Sequence, residues 1–156
     1  MNPIQNFDDL LACLSSMRNR KRVAMACPAD SHTRYVVERG LKEGFADFML
    51  VCAGECKPEF DSLKEQYPDR VEVLVEPTPD DAARKAVALA HCGAADVLMK
   101  GTINTDNLLH AVLDKERGLL RPGSILSHVT ATHIPAYGKF VVFVDAAVIP
   151  RPHWRV

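Results

Sequence analysis

Apolar residues along this chain form short continuous runs that alternate with longer stretches in which they recur at helical spacing. The runs that predict strands are Arg22–Cys27, Phe48–Cys52, Val71–Val75 and the run ending at Lys100. A predicted first helix precedes them, so one helix is followed by four strand–helix units with short links. This order predicts an α/β fold with a doubly wound, largely parallel sheet and helices on both of its faces.

Residues that commonly cap helices stand in front of the predicted helices. Asn6 precedes the first helix, Asp30 or Ser31 the second, and Thr78 the fourth. Thr105 stands where the cap of the last helix is expected. The predicted helix starts therefore rest on side-chain oxygens that accept hydrogen bonds from the first helical N–H groups.

The pattern changes after Gly118. The pattern predicts two strands joined by a short link, at Ile125–Ala131 and Lys139–Asp145. A short link permits the two strands to pair antiparallel. From Arg117 onward the chain has five lysines and arginines against one acid. Positive charge is therefore concentrated toward this end of the chain.

The composition is that of an ordinary globular protein, with 156 residues, 47% hydrophobic and 25% charged, and a net charge of −1. This length suits one domain, and the near-neutral charge argues against a dedicated nucleic-acid binder. No apolar run reaches membrane-spanning length, and the first residues lack the apolar core of a signal peptide. We therefore predict a cytoplasmic protein with no nucleic-acid or membrane partner.

The five cysteines are odd in number and contain no Cys-x-x-Cys motif, which predicts reduced thiols. Cys13, Cys27 and Cys92 have apolar neighbours and are expected in the core. Cys52 and Cys56 flank a glycine-containing turn but lack a second ligand pair nearby. The sequence therefore predicts no metal site.

The strongest candidate for chemistry is the segment that follows the apolar run Val97–Met99. That run predicts a buried strand. A polar, glycine-containing loop between a strand and the start of a helix gathers free N–H groups around an anion. The segment supplies a cation and hydroxyl and amide donors, at Lys100, Gly101, Thr102, Asn104 and Thr105. It is neither a Walker loop nor a GxGxxG motif, so an ordinary turn with a solvated lysine is the alternative interpretation.

Three predicted strand ends carry polar residues, namely Ala29–Ser31, Lys100–Thr105 and Asp145. Ligands of open α/β sheets bind outside the carboxyl ends of the strands, which favours an anion site there. Asp145 has an alternative role as a helix cap or turn residue. Ser127 and His128 occupy adjacent strand positions that face opposite ways, so they make a poor nucleophile–base pair.

Several residue blocks occur together in an order that resembles the phosphate acetyl/butyryltransferase family, and most closely its phosphate butyryltransferases. The blocks are Ala95–Gly101, Thr105, Leu108–Leu109, Leu113, Gly118, Leu126–Val129, Val144–Val148 and Pro150. They span about Arg22 to Pro150, nearly the whole chain. Each block alone is a weak signal, whereas the ordered set is specific.

The resemblance implies that acyl-CoA and phosphate react to give an acyl phosphate and free coenzyme A. It implies a two-domain architecture like that of isocitrate and isopropylmalate dehydrogenases, in which residues 1–156 form the first domain and the active site lies between domains. The loop at Lys100 and Gly101 would line this cleft, with Ser127, His128 and Asp145 near the same rim. No metal and no cofactor are implied, because the coenzyme A thioester is a substrate.

The chain departs from the family in lacking a second domain and a Ser-Arg motif followed by an acid. Its last residues, Pro152–Val156, also differ, and a shifted reading of the codons for His-Trp-Arg gives a family-like Leu-Glu. We therefore expect a frameshift or truncation, an inactive chain, and a homo-oligomer formed through apolar surface near the last two strands.

Two alternative functions remain. One is a catalytically inert α/β module that binds anions or associates with itself. The other is a related enzyme, such as the phosphate acyltransferase of phospholipid synthesis or a dehydrogenase. The dehydrogenase is disfavoured because no GxGxxG motif opens a strand–helix unit.

Overall fold

The computed structural model describes residues 4–17 and 19–145 and divides the chain into two compact units. The larger unit, Met17–Arg121, contains a parallel sheet and its helices. The smaller unit combines the residues up to Ser16 with those from Pro122 onward. The family-like positions Ala146–Val148 and Pro150, and the divergent Pro152–Val156, lie outside the described residues.

The sheet of the larger unit has four parallel strands in the order β3-β2-β1-β4. Their bounds are β1 Lys21–Ala26, β2 Ala46–Ala53, β3 Val71–Glu76 and β4 Val97–Lys100. The connecting helices are α2 Ser31–Glu43, α3 Pro58–Gln66, α4 Pro79–His91 and α5 Thr105–Val112. The predicted α/β class with a mostly parallel central sheet is therefore confirmed.

Alternate residues of β1 enter two separate hydrophobic cores, as the two-residue period of a strand requires. Ala24 and Ala26 belong to a cluster with alanines of α4, and Leu108 of α5 is part of it. Val23 and Met25 belong to the other cluster, which includes residues of α2 and α3. A sheet buried by helices on both faces explains the continuous apolar runs of its inner strands.

The predicted helix caps Asn6, Asp30 and Thr78 are all confirmed. The Asp30 carboxylate accepts the Thr33 N–H at 2.7 Å, and the Thr33 hydroxyl lies 3.2 Å from the Asp30 N–H as a reciprocal acceptor. Pro79 follows Thr78 as the first helical residue, where a missing N–H costs nothing. Local side-chain chemistry therefore sets these three helix starts.

The prediction that Val97–Met99 is a buried strand is wrong. The strand β4 lies at the edge of the sheet and pairs only with β1, within the described residues. Its first residue, Val97, is 44% exposed. An apolar run identifies a strand but does not reveal whether that strand lies at the centre or the edge of its sheet.

The smaller unit contains a helix, α1 Phe7–Ser15, and a hairpin of β5 Val129–Ile134 and β6 Lys139–Val144. The hairpin is antiparallel, which the short link permits, and the Phe7 and Phe140 rings meet edge to face with centroids 5.0 Å apart. Strand β5 starts later than predicted, so Ser127 and His128 precede it instead of lying within it. Large exposed apolar side chains remain on the hairpin, at Val129, Val142, Phe143 and Val144.

The prediction of reduced thiols is wrong for one pair of cysteines. The turn after β2 brings the Cα atoms of Cys52 and Cys56 to 5.2 Å, and the two sulfurs form a disulfide. The other three cysteines are free, and only Cys27 of these is buried as predicted, since Cys13 is half-buried and Cys92 is exposed. Among the described residues there is no cluster of metal-ligating side chains, and no helix is long and apolar enough to cross a membrane.

Asp96 joins the starts of β4 and β1, and this contact predicts acid sensitivity. Its carboxylate accepts the Arg22 N–H at 2.9 Å, which, together with the charges of Lys21 and Arg22, lowers the Asp96 pKa. The unfolded chain then binds more protons than the folded one below the ordinary aspartate pKa of about 3.9. The stabilisation is therefore complete above that value and is lost as the pH falls through the lower folded pKa.

We expect Asp96→Asn to flatten the fall in the free energy of unfolding between about pH 5 and pH 2. Urea unfolding at a series of pH values measures this slope. Asp69→Asn is the matched control, since Asp69 is exposed and its carboxylate has no partner among the described residues. Equal slopes for Asp96→Asn and the parent chain would contradict the assignment.

Candidate functional site

The loop after β4 is joined to the end of β1 by hydrogen bonds at the carboxyl edge of the sheet. The Gly101 N–H donates to the Ala26 carbonyl at 2.8 Å. Thr102 donates both its N–H and its hydroxyl to the Cys27 carbonyl, at 2.9 and 3.0 Å. Two backbone segments that are distant in sequence are thus held in direct contact.

Glycine is required at position 101 by this close approach. A Cβ atom there would lie 2.7 Å from the Ala26 carbonyl oxygen and closer still to that of Cys27. Both obstacles are backbone atoms, which cannot rotate away as a side chain does. Gly101 therefore has a packing role that is independent of any ligand.

Lys100 is exposed, and its ammonium group donates to the Ile103 carbonyl at 3.0 Å. Ile103 immediately precedes the capping residue of α5. The side chain therefore curls over its own loop, and its positive charge lies beside the segment that enters the helix. This arrangement differs from a lysine that simply extends into solvent.

The cap of α5 is Asn104, so the prediction of Thr105 as the cap is wrong. Asn104 has extended backbone angles and its side chain accepts the Asp106 N–H at 3.1 Å, whereas Thr105 is already helical. Within residues 4–17 and 19–145, the N–H groups of Thr105 and Asn107 have no acceptor. Unpaired N–H groups at a helix start carry partial positive charge and favour anions.

A cavity of about 510 Å³ opens beside this loop, and we call it the carboxyl-edge cavity. Residues following β1, β2 and β4 contribute to its walls, together with the start of α4. Its lining residues are Cys27, Pro28, Ala29, Ala53, Glu55, Lys57, Pro79, Thr102, Ile103, Asn104 and Asn107. The predicted residues Thr102 and Asn104 are thus brought together with groups from two other strand ends.

Sequence reasoning missed Lys57, Cys27 and Asn107 as components of this cavity. The Lys57 ammonium donates to the Ala29 carbonyl, which links the loops after β2 and β1. Its position just beyond a strand end was a usable signal, because the same rule had already singled out Asp30. No local pattern marked Asn107, whose amide donates to the Asp80 carboxylate at 2.6 Å.

The charges around the cavity have both signs. Burial raises the pKa of the Cys27 thiol, and the nearby Asp80 carboxylate raises it further. The thiol therefore stays protonated at neutral pH and offers no thiolate for nucleophilic attack. Lys57 and Lys100 favour an anion in this region, while Asp80 and Glu55 oppose one.

Ser127, His128 and Asp145 belong to the smaller unit, whereas the predicted loop residues belong to the larger one. The Asp145 carboxylate accepts the His128 N–H at 3.0 Å, and the Asp145 N–H donates to the His128 carbonyl at 2.6 Å. Asp145 also has a φ of 56°, in the left-handed region. This geometry supports the alternative role of Asp145 as a turn residue that closes the open end of the hairpin.

Only one of the two ring nitrogens of His128 has a hydrogen-bond partner among the described residues. Its Nε2 lies 3.3 Å from the Thr130 hydroxyl, and its buried Nδ1 has no hydrogen-bond partner within the described part of the chain. Ser127 is exposed, and within the described residues its hydroxyl makes no hydrogen bond to this ring. The expectation that these residues are not a catalytic dyad therefore stays a prediction.

Comparison with known proteins found similarity to one kind of enzyme, although no protein-family model matches the sequence. The chain is 33% identical over 138 residues to a probable phosphate butyryltransferase of Bacillus subtilis, covering 88% of this chain and 45% of that protein. It is 33% identical over 155 residues to a phosphate butyryltransferase of Clostridium acetobutylicum, covering 97% of this chain and 50% of that protein. The chain thus spans about half the length of the curated relatives it matches.

Among solved structures, the chain resembles a branched-chain phosphotransacylase from Enterococcus faecalis V583. The TM-score is 0.70 at 27% sequence identity, over 85% of this chain and 45% of that one. Sequence and fold therefore agree, and the resemblance inferred from the residue blocks is confirmed. The half-length coverage is consistent with a match to the N-terminal half of these proteins.

The contact at Gly101 predicts a cost for any side chain at this position. We expect Gly101→Ala to lower the free energy of unfolding by about 1–3 kcal/mol, because its Cβ meets backbone atoms of β1. Gly40→Ala is the matched control, since its Cβ would meet side-chain atoms, the Phe48 ring at 2.9 Å and the Ala46 Cβ at 3.5 Å, instead of backbone atoms, and alanine favours a helix. Urea unfolding measures both variants, and equal costs would refute the role given to Gly101.

Proposed function

We propose that this chain, a homologue of the phosphate acetyl/butyryltransferase family over nearly its whole length, binds the phosphate used in acyl transfer. The reaction is acyl-CoA plus phosphate giving acyl phosphate plus free coenzyme A. The observation that carries the proposal is the loop from Lys100 to Asn104, whose residues Thr102–Asn104 line a cavity and whose Ile103 carbonyl accepts the Lys100 ammonium group just before the unpaired N–H groups of the helix start. Both substrates are small molecules.

The chemistry of the reaction requires groups of this kind. A phosphate oxygen attacks the thioester carbonyl carbon, and the carbonyl oxygen gains negative charge until the thiolate of coenzyme A leaves. Cations and N–H donors are needed to hold the phosphate in the attacking orientation. We assign this holding role to Lys100, Asn104 and Thr105. Gly101 shapes the loop together with Thr102, whose N–H and hydroxyl already donate to the Cys27 carbonyl.

The cavity adds two further candidates to this assignment. Lys57 supplies a second positive charge from the loop after β2, and Asn107 supplies an amide from the first turn of α5. Asp80 works against phosphate binding through charge repulsion, and its hydrogen bond to Asn107 keeps it close. The site would therefore bind a lone phosphate weakly.

The place of Ser127, His128 and Asp145 in the substrate site stays a prediction of the sequence, and all three residues belong to the smaller unit. Because the Asp145 carboxylate already accepts the His128 N–H, we propose that it positions His128 instead of contacting phosphate. His128 then remains the member of this group with an unpaired ring nitrogen among the described residues. Neither metal nor cofactor enters the proposal.

The wider architecture is also a proposal. We propose that residues 1–156 form the first domain of a two-domain, isocitrate dehydrogenase-like protein of the cytoplasm. The second candidate function is self-association, which the exposed apolar side chains of the hairpin favour. Light scattering distinguishes a homo-oligomer from a monomer, whether or not the chain binds phosphate.

Removing the Lys100 charge should weaken phosphate binding. We expect Lys100→Met to raise the Kd for phosphate by about three- to tenfold, because one charge-assisted contact is lost at an exposed position. Titration calorimetry at two salt concentrations measures the effect, which should shrink at the higher one. Lys64→Met is the control, since that exposed lysine lies on α3 away from the loop.

Removing a negative charge near the loop tests whether charge controls phosphate binding there, as the assignment of Lys100 requires. Asp80→Asn removes a negative charge beside the loop and should tighten phosphate binding. Unchanged binding in both Lys100→Met and Asp80→Asn would place the phosphate elsewhere.

The 156 residues alone should bind phosphate without catalysing the transfer. The sequence contains no Ser-Arg dipeptide, which the family resemblance assigns to catalysis, and losing one donor to the developing oxyanion typically costs ~10²–10³ in rate. Loss of the thioester absorbance of butyryl-CoA, with and without phosphate, measures turnover independently of the protein's own thiols. Phosphate-dependent loss that disappears in Lys100→Met would contradict this expectation and locate a complete site in this chain.

A further inference from the structure

The paired cysteines Cys52 and Cys56 have no role in the proposed acyl transfer. Cys52 is the second-last residue of β2 and is 1% exposed, whereas Cys56 is partly exposed in the following loop. Their Cα atoms lie 5.2 Å apart, a normal spacing for a disulfide. Cys56, which packs against the edge of a core cluster, is therefore the more exposed residue of the pair, and Cys52 is fully buried.

The bond closes a very small loop, since the two residues are four positions apart. The stabilisation that a disulfide provides by restricting the unfolded chain grows with loop length. A loop this short therefore contributes little to global stability through that effect. Its main consequence is local, on the turn that it encloses.

The enclosed turn has few other restraints. The Gly54 N–H donates to the Glu76 carbonyl at 2.7 Å, and the Glu55 N–H donates to the Ala53 carbonyl at 2.9 Å. Gly54 has a φ of 74°, which glycine adopts without strain. The covalent link is thus a substantial part of what holds this turn in one conformation.

The turn leads directly into the carboxyl-edge cavity. Glu55 lies within the enclosed loop, and Lys57 follows Cys56 and reaches the Ala29 carbonyl. Lys57 is also the residue before α3, where it makes no side-chain cap. The position of its ammonium group therefore depends on the conformation of the turn.

We propose that Cys52 and Cys56 form a reversible thiol–disulfide pair that fixes the turn carrying Glu55 and Lys57 when oxidised and releases it when reduced. Glutathione disulfide is the oxidant. The thiolate of Cys56, the more exposed residue of the pair, attacks it and displaces one glutathione thiolate. The Cys52 thiolate then attacks the Cys56 sulfur and displaces the second.

The balance of this reaction is complete. Two protein thiols lose two electrons and two protons, and one glutathione disulfide becomes two molecules of glutathione. A dithiol such as dithiothreitol reverses the reaction. The proposal is independent of the acyl transfer, since it concerns the state of the two sulfurs and the conformation of the turn.

The chemical part is tested on the full chain equilibrated with mixtures of reduced and oxidised glutathione. Thiol exchange is then stopped with acid, the chain is unfolded so that buried Cys52 is as accessible as Cys92, and the thiols are alkylated and assigned by peptide mass spectrometry. We expect Cys52 and Cys56 to lose reactivity together, with the mass of two hydrogens lost, and to recover it in dithiothreitol. Two outcomes overturn the proposal: alkylation of both residues as complete as that of exposed Cys92 at every ratio, or a bond that dithiothreitol does not reduce.

The conformational part is tested by hydrogen exchange of the amides from Gly54 to Lys57 in the oxidised and reduced parent chain. We expect severalfold faster exchange after reduction, with the helix amides of α4 unchanged. Cys56→Ser should exchange at the fast rate with or without oxidant, whereas Cys92→Ser should switch as the parent does. Equal rates in the two states of the parent would refute the switch, and that comparison requires no variant.

Discussion

The close backbone contact between the loop after β4 and the end of β1 is the constraint on which the rest of this region depends. It exists because residue 101 lacks a side chain, and because Thr102 donates two hydrogen bonds to one carbonyl of Cys27. The contact brings the start of α5 to the carboxyl edge beside the loops after β1 and β2. Without it, Thr102 and the capping residue Asn104 would not border the same cavity as Cys27 and Lys57.

The balance of charge around the cavity explains why this region suits a held anion better than a reactive side chain. Burial and the Asp80 carboxylate keep the Cys27 thiol protonated, so its position at a strand end does not make it a nucleophile. Lys57 and Lys100 each bond to a backbone carbonyl, which leaves further ammonium hydrogens for a ligand. Asp80 and Glu55 limit the affinity of this region for an anion. The attacking group is an oxygen of the bound phosphate and not a protein side chain.

In the hairpin of the smaller unit, Asp145 was expected at the substrate site but has a structural role. The carboxylate of Asp145 is occupied by the backbone N–H of His128, and the paired backbone bond between them ends the β5–β6 ladder. A residue so engaged acts through its neighbour and not directly on a ligand. The apolar side chains that remain exposed on the same hairpin are the feature that favours association of chains.

The sequence by itself determined the order of strands and helices, most helix starts and the family resemblance, because these depend on local periodicity, capping chemistry and ordered residue blocks. It also located the loop from Lys100 to Thr105, since a polar segment after an apolar run is a local signal. Only the tertiary structure decided that β4 is an edge strand, that Asn104 caps α5, and that Cys52 pairs with Cys56. Only it assembled Cys27, Lys57 and Asn107 around one cavity. The physical reason is that strand order and loop packing arise from contacts between distant segments, which no pattern within one segment encodes.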